Sequence, residues 1–433
     1  SNPGLLDDMA SCYWNLGDHD TALKLLHLIV QDAPGNTAAW GKIGALLISA
    51  GDNDGAATAF ERVLKGNPKS VGALAALNRI EVFARDSHRA RLLRKLSQKP
   101  GLPATDRATA LNALGRIEDK AGNTTRAFGF FRKSKALTPG SYDADAMERH
   151  VAAQLRSPVS PASGPGGGPR VVFVTGLPRS GTTLVERILT RHPEIGTIGE
   201  SPALQQVLQD IRRRTGDTTG WNWAERVTPK QLEAARAHYL ALARQRIGTP
   251  LPGFIIDKLP LNCLEMAFAQ RLLPGARIVF VSRHPLDVGL SLLSTHFHAA
   301  HAFSKTPETI AHMTRAVYTS LADFEDRLGA AIVRRQSYRA LVETPEAQIR
   351  ALLGHVGASW TSACLAPEAG PDMVRTASLT QVRAGINTGA LNRWHRYEQE
   401  LAPLRTALGG QNWIDDWQRA DDGCAKAQGA VNH

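Results

Sequence analysis

Residues 171–184, VVFVTGLPRSGTTL, decide how the second half of this chain folds. The first five residues are mostly apolar and include three valines, which is typical of a short buried strand. GLPRSG (176–181) predicts a tight loop, and TTLVERILTRH (182–192) has apolar residues at helical spacing. Backbone N–H groups at the start of such a helix point at an anion, and the helix dipole favours negative charge there. The stretch therefore predicts a cradle for a phosphate-like group.

The loop has the spacing of a Walker A motif, G-x-x-x-x-G-K-[ST], and departs from it at one position. Thr182 stands where nucleoside triphosphatases have lysine, and the strong cation of the loop is Arg179. A triphosphatase uses that lysine, together with Mg²⁺, to stabilise its phosphates. The loop therefore disfavours a P-loop kinase and favours an anion that is held without a metal. An ordinary strand–helix turn is the structural alternative.

The stretch LPRSGTTL (177–184) resembles the 5′-phosphosulfate loop of sulfotransferases that use PAPS, 3′-phosphoadenosine 5′-phosphosulfate. The chain most resembles tyrosylprotein sulfotransferases and the bacterial sulfotransferases fused to tetratricopeptide repeats. The resemblance implies an α/β P-loop sulfotransferase domain, a parallel sheet flanked by helices, after an all-α tetratricopeptide-repeat solenoid. It implies PAPS as cofactor, 3′-phosphoadenosine 5′-phosphate as product, and no metal. The loop residues that would bind the cofactor are Pro178, Arg179, Ser180, Gly181, Thr182, Thr183 and Leu184.

Length and composition limit the alternatives. A chain of 433 residues is long enough for two domains, and no apolar run of 18 residues predicts a membrane span. The net charge of +11 indicates anionic partners, but no basic run or base-stacking motif favours nucleic acid. The four cysteines, Cys12, Cys263, Cys364 and Cys424, are scattered, which favours a reducing compartment.

Residues 5 to about 139 repeat with a period of 34. Gly17, Ala22 and Pro34 recur as Gly51, Ala56 and Pro68, and again with the same internal spacing as Gly122, Ala127 and Pro139. A degenerate copy between them keeps Ala90. This pattern resembles the tetratricopeptide repeat, which stacks into a solenoid with a concave binding face. Unrelated helical hairpins are the alternative.

The domain limits follow from these motifs. We expect a repeat domain over 1–140, a connecting segment with a Pro/Gly-rich linker over 141–169, and a sulfotransferase domain over 170–418. The polar residues 419–433 are expected to form a tail that frays from about Asp416. Because the candidate catalytic residues all follow residue 169, we expect the repeats to contribute affinity for the acceptor and not chemistry.

Two charged residues match catalytic positions of the tyrosylprotein family. Glu200 lies 21 residues beyond Arg179, where the resemblance implies the general base that takes the proton of a phenol. Lys258 follows the apolar stretch FIID (254–257), and the resemblance implies that it reaches the transferring sulfonate. The alternatives are a charge at the end of a helix for Glu200 and a surface lysine at a strand end for Lys258.

RIVFVSRHPLDVGLSLL (277–293) predicts a buried strand, then Ser282 and Arg283, then a helix entered through Pro285. Ser291 lies about two helical turns beyond Arg283. The same order of strand, arginine, helix and serine holds the 3′-phosphate of PAPS in sulfotransferases, so the resemblance implies that role here. Arginine offers phosphate a planar fork of donors.

The C-terminal third supplies weaker matches. Tyr338 resembles a tyrosine that contacts the nucleotide, although Arg339 and Ala340 replace the acidic pair that follows it in the family. Residues 376–401 resemble the closing segment of the family. There the resemblance implies that Ser378 is both catalytic and cofactor-binding, and that Arg383 and Arg393 bind the cofactor.

Three histidines, His296, His298 and His301, have a spacing that suggests a metal site, H-x-H-x-x-H. No nearby Asp, Glu or Cys completes a ligand shell, and the chemistry needs no metal. We therefore expect no metal and interpret this segment as a loop over the acceptor site.

Together the motifs predict transfer of a sulfonate group from PAPS to a hydroxyl acceptor, most simply a tyrosine of a peptide or protein presented by the repeats. A small phenol or a sugar hydroxyl is the alternative acceptor, and a non-catalytic repeat adaptor is a third hypothesis. Secreted-pathway members carry cysteines beside the base and the lysine, whereas this chain has Ile198, Gly199 and Asp257. We therefore expect a bacterial cytoplasmic protein.

Overall fold

The computed structural model describes residues 2–16, 18–157, 168–217, 223–297, 299–369 and 385–430. The described part of the first third is helical, as the repeats predict. Its helices are α1 (Pro3–Leu16), α2 (His19–Asp32), α3 (Thr37–Ala50), α4 (Asn53–Gly66), α5 (Val71–Ile80), α6 (His88–Gln98), α7 (Ala104–Lys120), α8 (Thr124–Ala136) and α9 (Ala144–Arg156).

Small residues let the helices of each repeat approach closely. The alanines of the period, Ala22, Ala56, Ala90 and Ala127, are fully buried. Gly51 ends α3 in the left-handed region at φ 83°, where glycine is favoured. The alanine spacing therefore marks the helix crossings, and the tetratricopeptide architecture is confirmed.

Two further glycines take part in this packing. A Cβ atom on Gly44 would lie 2.7 Å from the Phe60 ring, and one on Gly115 would lie 2.4 Å from the Phe131 ring. Each aromatic ring occupies the space that a side chain would need on the preceding helix. Any larger residue at either glycine would push the paired helices apart.

The repeats share a core with the α/β part of the molecule. Phe128 of α8 and Val151 of α9 belong to the same hydrophobic cluster as Phe173 of the sheet. Lys135 is buried and donates a hydrogen bond to Ser304 Oγ over 2.8 Å. The segment expected to connect the domains, 141–169, thus contains α9, which packs into this core.

The second part is built on a parallel sheet. Its strands are β1 (Arg170–Gly176), β2 (Ile195–Thr197), β3 (Phe254–Asp257), β4 (Arg277–Ser282) and β5 (Val333–Ser337), in the order β2-β3-β1-β4-β5. Its helices are α10 (Thr182–Leu189), α11 (Ala203–Thr215), α12 (Trp223–Arg226), α13 (Pro229–Ile247), α14 (Met266–Leu272), α15 (Pro285–Ser294), α16 (Pro307–Leu328), α17 (Tyr338–Glu343), α18 (Pro345–Val356), α19 (Ala402–Leu408) and α20 (Gly410–Ala430). Short 3₁₀ turns include 260–264, 299–305 and 393–397.

Helices cover both faces of the sheet, which explains the apolar run of β1. Val171 and Phe173 point into one hydrophobic core, and Val172 and Val174 point into the other. A strand buried on both faces needs apolar residues at successive positions instead of alternate ones. The carboxyl ends of β1, β3 and β4 are therefore left as the edge at which polar side chains gather.

The polar tail expected over 419–433 is wrong for the described residues, because α20 continues to Ala430. Trp417 is buried, and Asp421 is only 2% exposed. Asp421 accepts a hydrogen bond from Ser337 Oγ over 2.7 Å. An apolar contact and a satisfied carboxylate hold α20 against β5 as far as Asp421.

None of the helices in the described residues combines the length and the apolar character that crossing a bilayer requires.

Candidate active site

The site starts at the loop between β1 and α10. Gly181 has φ 115°, and a Cβ atom there would lie 2.5 Å from the ring of Tyr338. Arg179 also lies in the left-handed region, at φ 76°. Ser180 Oγ is buried and has no hydrogen-bond partner among the described residues. The loop thus has the close backbone and a spare donor that a bound oxyanion would use.

Arg179 and Ser291 come together, although 112 residues separate them in the sequence. Arg179 Nε donates a hydrogen bond to Ser291 Oγ over 2.8 Å, and Ser291 lies in α15. Arg283 Nη1 donates to the carbonyl oxygen of Arg179 over 3.1 Å. The first and second motifs of the sequence therefore form one cationic corner at the ends of β1 and β4.

Arg283 is almost fully buried, and its surroundings define the rest of this corner. Its guanidinium lies 4.9 Å from the centroid of the Tyr338 ring, and it donates to the carbonyl oxygen of Ala390. Arg283 Nε is buried and lacks a hydrogen-bond partner among the described residues. Burial lowers the pKa of Arg283 from its ordinary value, although the nearby Asp287 opposes that shift. A buried cation with an unused donor fits an anionic ligand.

Polar residues at the ends of β4 and β5 hold the cationic corner in place. Asp421 of α20 accepts hydrogen bonds from both Ser282 and Ser337. Asp287 of α15 accepts from the backbone N–H of Asn392 over 2.9 Å and of Trp394 over 3.0 Å. These contacts tie the two strand ends to the C-terminal segment that carries Ala390.

Lys258 occupies the other side of β1, where β3 ends. Its ammonium donates to Glu200 Oε1 over 2.7 Å and lies 3.3 Å from Glu186 Oε2. The Lys258 side chain is 1% exposed, that of Glu186 is 11% exposed and that of Glu200 is 37% exposed. Of the two carboxylates, Glu200 is therefore the one that a substrate can reach.

The hydrogen bonds of residues 197–199 position this pair. Thr197 Oγ1 donates to Glu186 Oε1 over 2.7 Å and accepts from the N–H of Gly199 over 2.9 Å. The N–H of Lys258 donates to the carbonyl oxygen of Gly199 over 3.1 Å. Glu200 lies two residues before Pro202, the N-cap of α11, and contacts Lys258 at the end of β3.

Burial and charge shift two pKa values here. Burial lowers the pKa of Lys258, but the carboxylates of Glu186 and Glu200 outweigh it, so the pKa is raised and the side chain stays cationic. Burial raises the pKa of Asp257 to about 7, and the hydrogen bond from Tyr239 opposes that rise. Tyr239 Oη donates to Asp257 Oδ2 over 2.8 Å. Asp257 therefore anchors the strand end beneath Lys258.

Arg393 lies at the contact between the two parts of the molecule. Its Nη2 is 3.5 Å from Asp119 Oδ2 of α7, and its side chain is 43% exposed. Arg396 Nη2 lies 3.2 Å from Asp119 Oδ1. The predicted residues Ser378 and Arg383 lie outside the described residues, as does His298 of the histidine segment.

The described residues of the histidine segment make contacts through their aromatic rings. The rings of Phe297 and His301 stack with centroids 4.8 Å apart, and Lys135 Nζ of the repeats lies 4.8 Å from the centroid of Phe297. Across the described ranges, no group of three His, Cys, Asp or Glu side chains is arranged to hold a metal ion. The segment thus borders the repeats, and its role over the acceptor stays a prediction.

Two residues of this site are not predicted from the sequence. Glu186 lies on α10, and a carboxylate is unusual on a helix that is buried along its length. A charged residue within the apolar pattern of this helix is the signal that could identify it. Asp421 carried no usable signal, because nothing in a polar C-terminal stretch indicates that one residue pairs with β4 and β5.

Comparisons with known proteins agree with this geometry. Residues 169–362 match the family model described as the sulfotransferase family, and residues 13–80 match a tetratricopeptide repeat model. An uncharacterized protein of Aquifex aeolicus is 26% identical over 405 residues, which cover 88% of this chain and 52% of that protein. The chain thus spans about half the length of that relative.

Relatives and solved structures named as sulfotransferases align with about half of the chain. A putative protein-tyrosine sulfotransferase of Caenorhabditis briggsae is 24% identical over 254 residues, covering 55% of this chain and 89% of that protein. Among solved structures, the sulfotransferase domain of the Synechococcus PCC 7002 olefin synthase has a TM-score of 0.41 and 19% identity. That alignment covers 55% of this chain and 91% of that domain.

Proposed function

The chain carries a sulfotransferase-family domain preceded by tetratricopeptide repeats, and from that premise we propose that it transfers a sulfonate group from PAPS to the hydroxyl of a peptide tyrosine. The observation that carries the proposal is the contact of Lys258 with Glu200 at 2.7 Å, beside the loop that starts α10. A carboxylate that is reachable and a buried cation next to an oxyanion loop are what transfer to a phenol requires.

The residues present fit PAPS. Ser180 Oγ and Arg283 Nε are buried donors without partners among the described residues, and each would gain one from an oxyanion. We assign the loop 177–184 to the 5′-phosphosulfate, and Arg283 with Ser291 to the 3′-phosphate. Arg283 also lies over Tyr338, which would border the nucleotide.

The reaction needs a proton acceptor and fixed positive charge. When bound, PAPS supplies the sulfonate group and a phosphate leaving group. Glu200 accepts the phenol proton at its carboxylate as the phenol oxygen forms its new bond to sulfur. Lys258 and Arg179 stabilise the negative charge that develops on the sulfonate oxygens, and the surrounding protein keeps both cations in position before the reaction starts.

A protein or peptide acceptor is favoured by the repeats. Tetratricopeptide repeats form surfaces that bind other proteins, and here they share a hydrophobic core with the catalytic part. A phenol is a weak nucleophile at neutral pH, which is why a base at the position of Glu200 is useful. The names of the protein-tyrosine sulfotransferase relatives support the same acceptor.

We keep the bacterial cytoplasm as the proposed location. The four cysteines are all free, and Cys263 and Cys364 are buried. Free thiols suit a reducing compartment. Alkylation of the unreduced protein in cell lysate should label the accessible Cys12, whereas a disulfide there would argue for another location.

The cofactor is tested by thermal unfolding. Without Mg²⁺, 3′-phosphoadenosine 5′-phosphate should raise the Tm, whereas ATP at the same concentration should not, because the loop lacks the lysine that ATP sites use. Incubation with PAPS and tyrosine peptides, followed by mass spectrometry, should then show sulfated tyrosine. Stabilisation by ATP alone, or sulfate found only on other hydroxyls, would contradict the proposal.

A small phenol is the second candidate acceptor, and a cavity of about 440 Å³ favours it. The cavity lies where α9 meets the turn after Lys258, and its walls include Tyr142, Met147, Leu261 and Phe303. Pockets of this size and apolar character suit small ligands. Met147→Trp should fill the cavity and lower kcat/KM for a small phenol about tenfold, while leaving a tyrosine peptide unaffected. If Met147→Trp changed kcat/KM by the same factor for both acceptors, the cavity would be excluded as an acceptor site.

A further inference from the structure

One face of α7 in the repeats faces the cationic corner formed by Arg179, Arg283 and Ser291. Asn112, Arg116 and Asp119 lie four and three residues apart, so they share this face. Asn112 Nδ2 donates to the carbonyl oxygen of Ser294 over 2.8 Å, and Tyr397 Oη donates to Asp119 Oδ1 over 2.7 Å. These two contacts fix α7 against the catalytic part on either side of Arg116.

The first of these contacts places Arg116 near the oxyanion loop. Ser294 is the last residue of α15, and Ser291, one turn earlier, accepts the hydrogen bond from Arg179. Arg116 follows Asn112 by one turn of α7. Its guanidinium is thus carried by the helix face that meets the end of α15, next to the Arg179–Ser291 contact.

Arg79 supports the same region from α5. Its neighbour Asn78 is buried and donates to the carbonyl oxygen of Ala113 over 3.2 Å, which joins α5 to α7. Within the described part of the chain, neither Arg79 nor Arg116 forms a hydrogen bond or an ion pair with another side chain. Arg116 is half-buried. Arg79 is exposed, so the half-buried Arg116 is the cation that the contact between the two parts encloses.

The positive charges of Arg116 and Arg79 act on Arg179. Burial is the main cause that lowers the pKa of Arg179 to about 10, and the positive charges of Arg283, Arg116, Arg393 and Arg79 lower it further. Like charges gathered in a partly buried space are unfavourable unless an anion joins them. The arrangement therefore indicates that an anionic group belongs between the repeats and the loop.

We propose that Arg116, supported by Arg79, binds the 3′-phosphate of PAPS, so that the repeats complete the cofactor site. This inference rests on the proposed function. The sheet order decides which end of the cofactor is meant: Lys258 follows β3, on one side of β1, whereas Arg283 and α15 follow β4, on the other side. α7, which carries Arg116, is anchored to α15 through Asn112, and so Arg116 lies on the side assigned to the 3′-phosphate.

The experiment compares two nucleotides that differ only in the 3′-phosphate. Calorimetry on the full chain should show that Arg116→Gln binds 3′-phosphoadenosine 5′-phosphate about tenfold more weakly, since it loses a charge-assisted hydrogen bond. Binding of adenosine 5′-monophosphate should change less than twofold. Arg116→Lys should recover part of the loss, and the Tm without ligand should not fall, because the substitution relieves repulsion between like charges.

Arg107→Gln is the matched control. Arg107 lies nine residues before Arg116 in α7, which places it on the opposite face, and its Nη2 donates to the carbonyl oxygen of Lys99. Arg107→Gln removes the same charge from the same helix. It should leave the affinities for 3′-phosphoadenosine 5′-phosphate and adenosine 5′-monophosphate unchanged.

Each contrary result has a distinct meaning. Unchanged affinity in Arg116→Gln overturns the inference, and so does an equal loss for both nucleotides, which would place Arg116 at the 5′ end. Weaker binding of an acidic peptide alone would assign the site to the acceptor and would also overturn it. If the unaltered chain bound no 3′-phosphoadenosine 5′-phosphate at all, the proposed function itself would fail.

Discussion

Two charged clusters lie on opposite sides of β1, and they differ in the sign of their surplus charge. On the β3 side, one ammonium, Lys258, contacts two carboxylates, Glu186 and Glu200. On the β4 side, Arg283 donates to the carbonyl oxygen of Arg179, and the positive charges of Arg283, Arg116, Arg393 and Arg79 all act on Arg179. The first cluster carries excess negative charge and the second carries excess positive charge.

The difference matches two tasks. A proton acceptor must be a carboxylate that is ionised and reachable, and the β3 cluster has one carboxylate to spare once Lys258 is neutralised. An anion site must offer positive charge, which the β4 cluster gathers from several arginines. Substitutions that remove one charge from either cluster therefore test these two roles. The largest effect is expected at Glu200, which takes the proton.

Glu200→Gln should have the largest effect. The amide keeps the shape of the side chain but cannot accept a proton, so we expect turnover to fall by about 10²–10⁴-fold. The loss should be smaller for phenols with lower pKa values, which need less help from a base. Rates with a series of substituted phenols, together with calorimetry of 3′-phosphoadenosine 5′-phosphate binding, measure both effects, and binding should stay unchanged.

Glu186→Gln is the control for that result, because both carboxylates contact Lys258 and differ in exposure, 11% against 37%. It removes the same charge from the same cluster, and we expect only a few-fold loss of turnover. A large loss in Glu186→Gln beside a small one in Glu200→Gln would move the base to Glu186.

Arg179→Gln tests the positive cluster. The variant removes a cation from the transferring sulfonate, so turnover should fall by about 10²-fold. The same substitution should not lower the Tm of the ligand-free protein, since it reduces repulsion with Arg283. Single-turnover rates measure the loss of turnover, and thermal unfolding measures the Tm. A normal rate with a lowered Tm would make Arg179 a structural residue.

Asp257→Asn tests the β3 side through pH. Burial raises the pKa of Asp257 from near 4 to about 7, so the folded state keeps a proton that the unfolded state has already lost between these values. The free energy of unfolding should therefore fall as pH rises from about 4 to about 7, by on the order of 3 kcal/mol from this group. Asp257→Asn should remove that part of the dependence in urea unfolding. A curve parallel to that of the unaltered chain would show that Asp257 is ionised throughout.

Much of the fold could be predicted from local patterns. The 34-residue period placed the repeat helices, and buried runs such as VVFV and IVFV marked β1 and β4, because strands covered on both faces need continuous apolar residues. The loop 177–184, Lys258 and Glu200 could be proposed because each lies at the carboxyl end of a recognisable strand or at a fixed offset from one.

Contacts between distant segments could not be predicted in this way. Arg116 looks like an ordinary charge on a repeat helix, and only the docking of α7 against α15 brings it to the site. The same holds for Asp421, which reaches β4 and β5 from the far end of the chain. A periodic pattern specifies which face of a helix is apolar, but not which other element its polar residues meet.

Tyr397→Phe should have the smallest effect, and it tests whether the positive cluster depends on the docking of the repeats. Tyr397 Oη donates to Asp119 Oδ1 over 2.7 Å, and burial with the nearby carboxylate raises the pKa of the phenol, so the group remains a donor. Its loss leaves Asp119 paired with Arg396 at 3.2 Å, and we therefore expect the free energy of unfolding to fall by only about 1 kcal/mol. Binding of 3′-phosphoadenosine 5′-phosphate should weaken about twofold, because α7 carries Arg116 and loses one of the contacts that hold Asp119, whereas those of Asn112 and Arg396 remain. Tyr142→Phe is the matched control: it removes a phenol that contacts His312 at 2.8 Å, another link between the two parts, but not α7. If both variants weakened nucleotide binding equally, the effect would come from general loosening of the interface, and the anchoring role of Asp119 would be wrong.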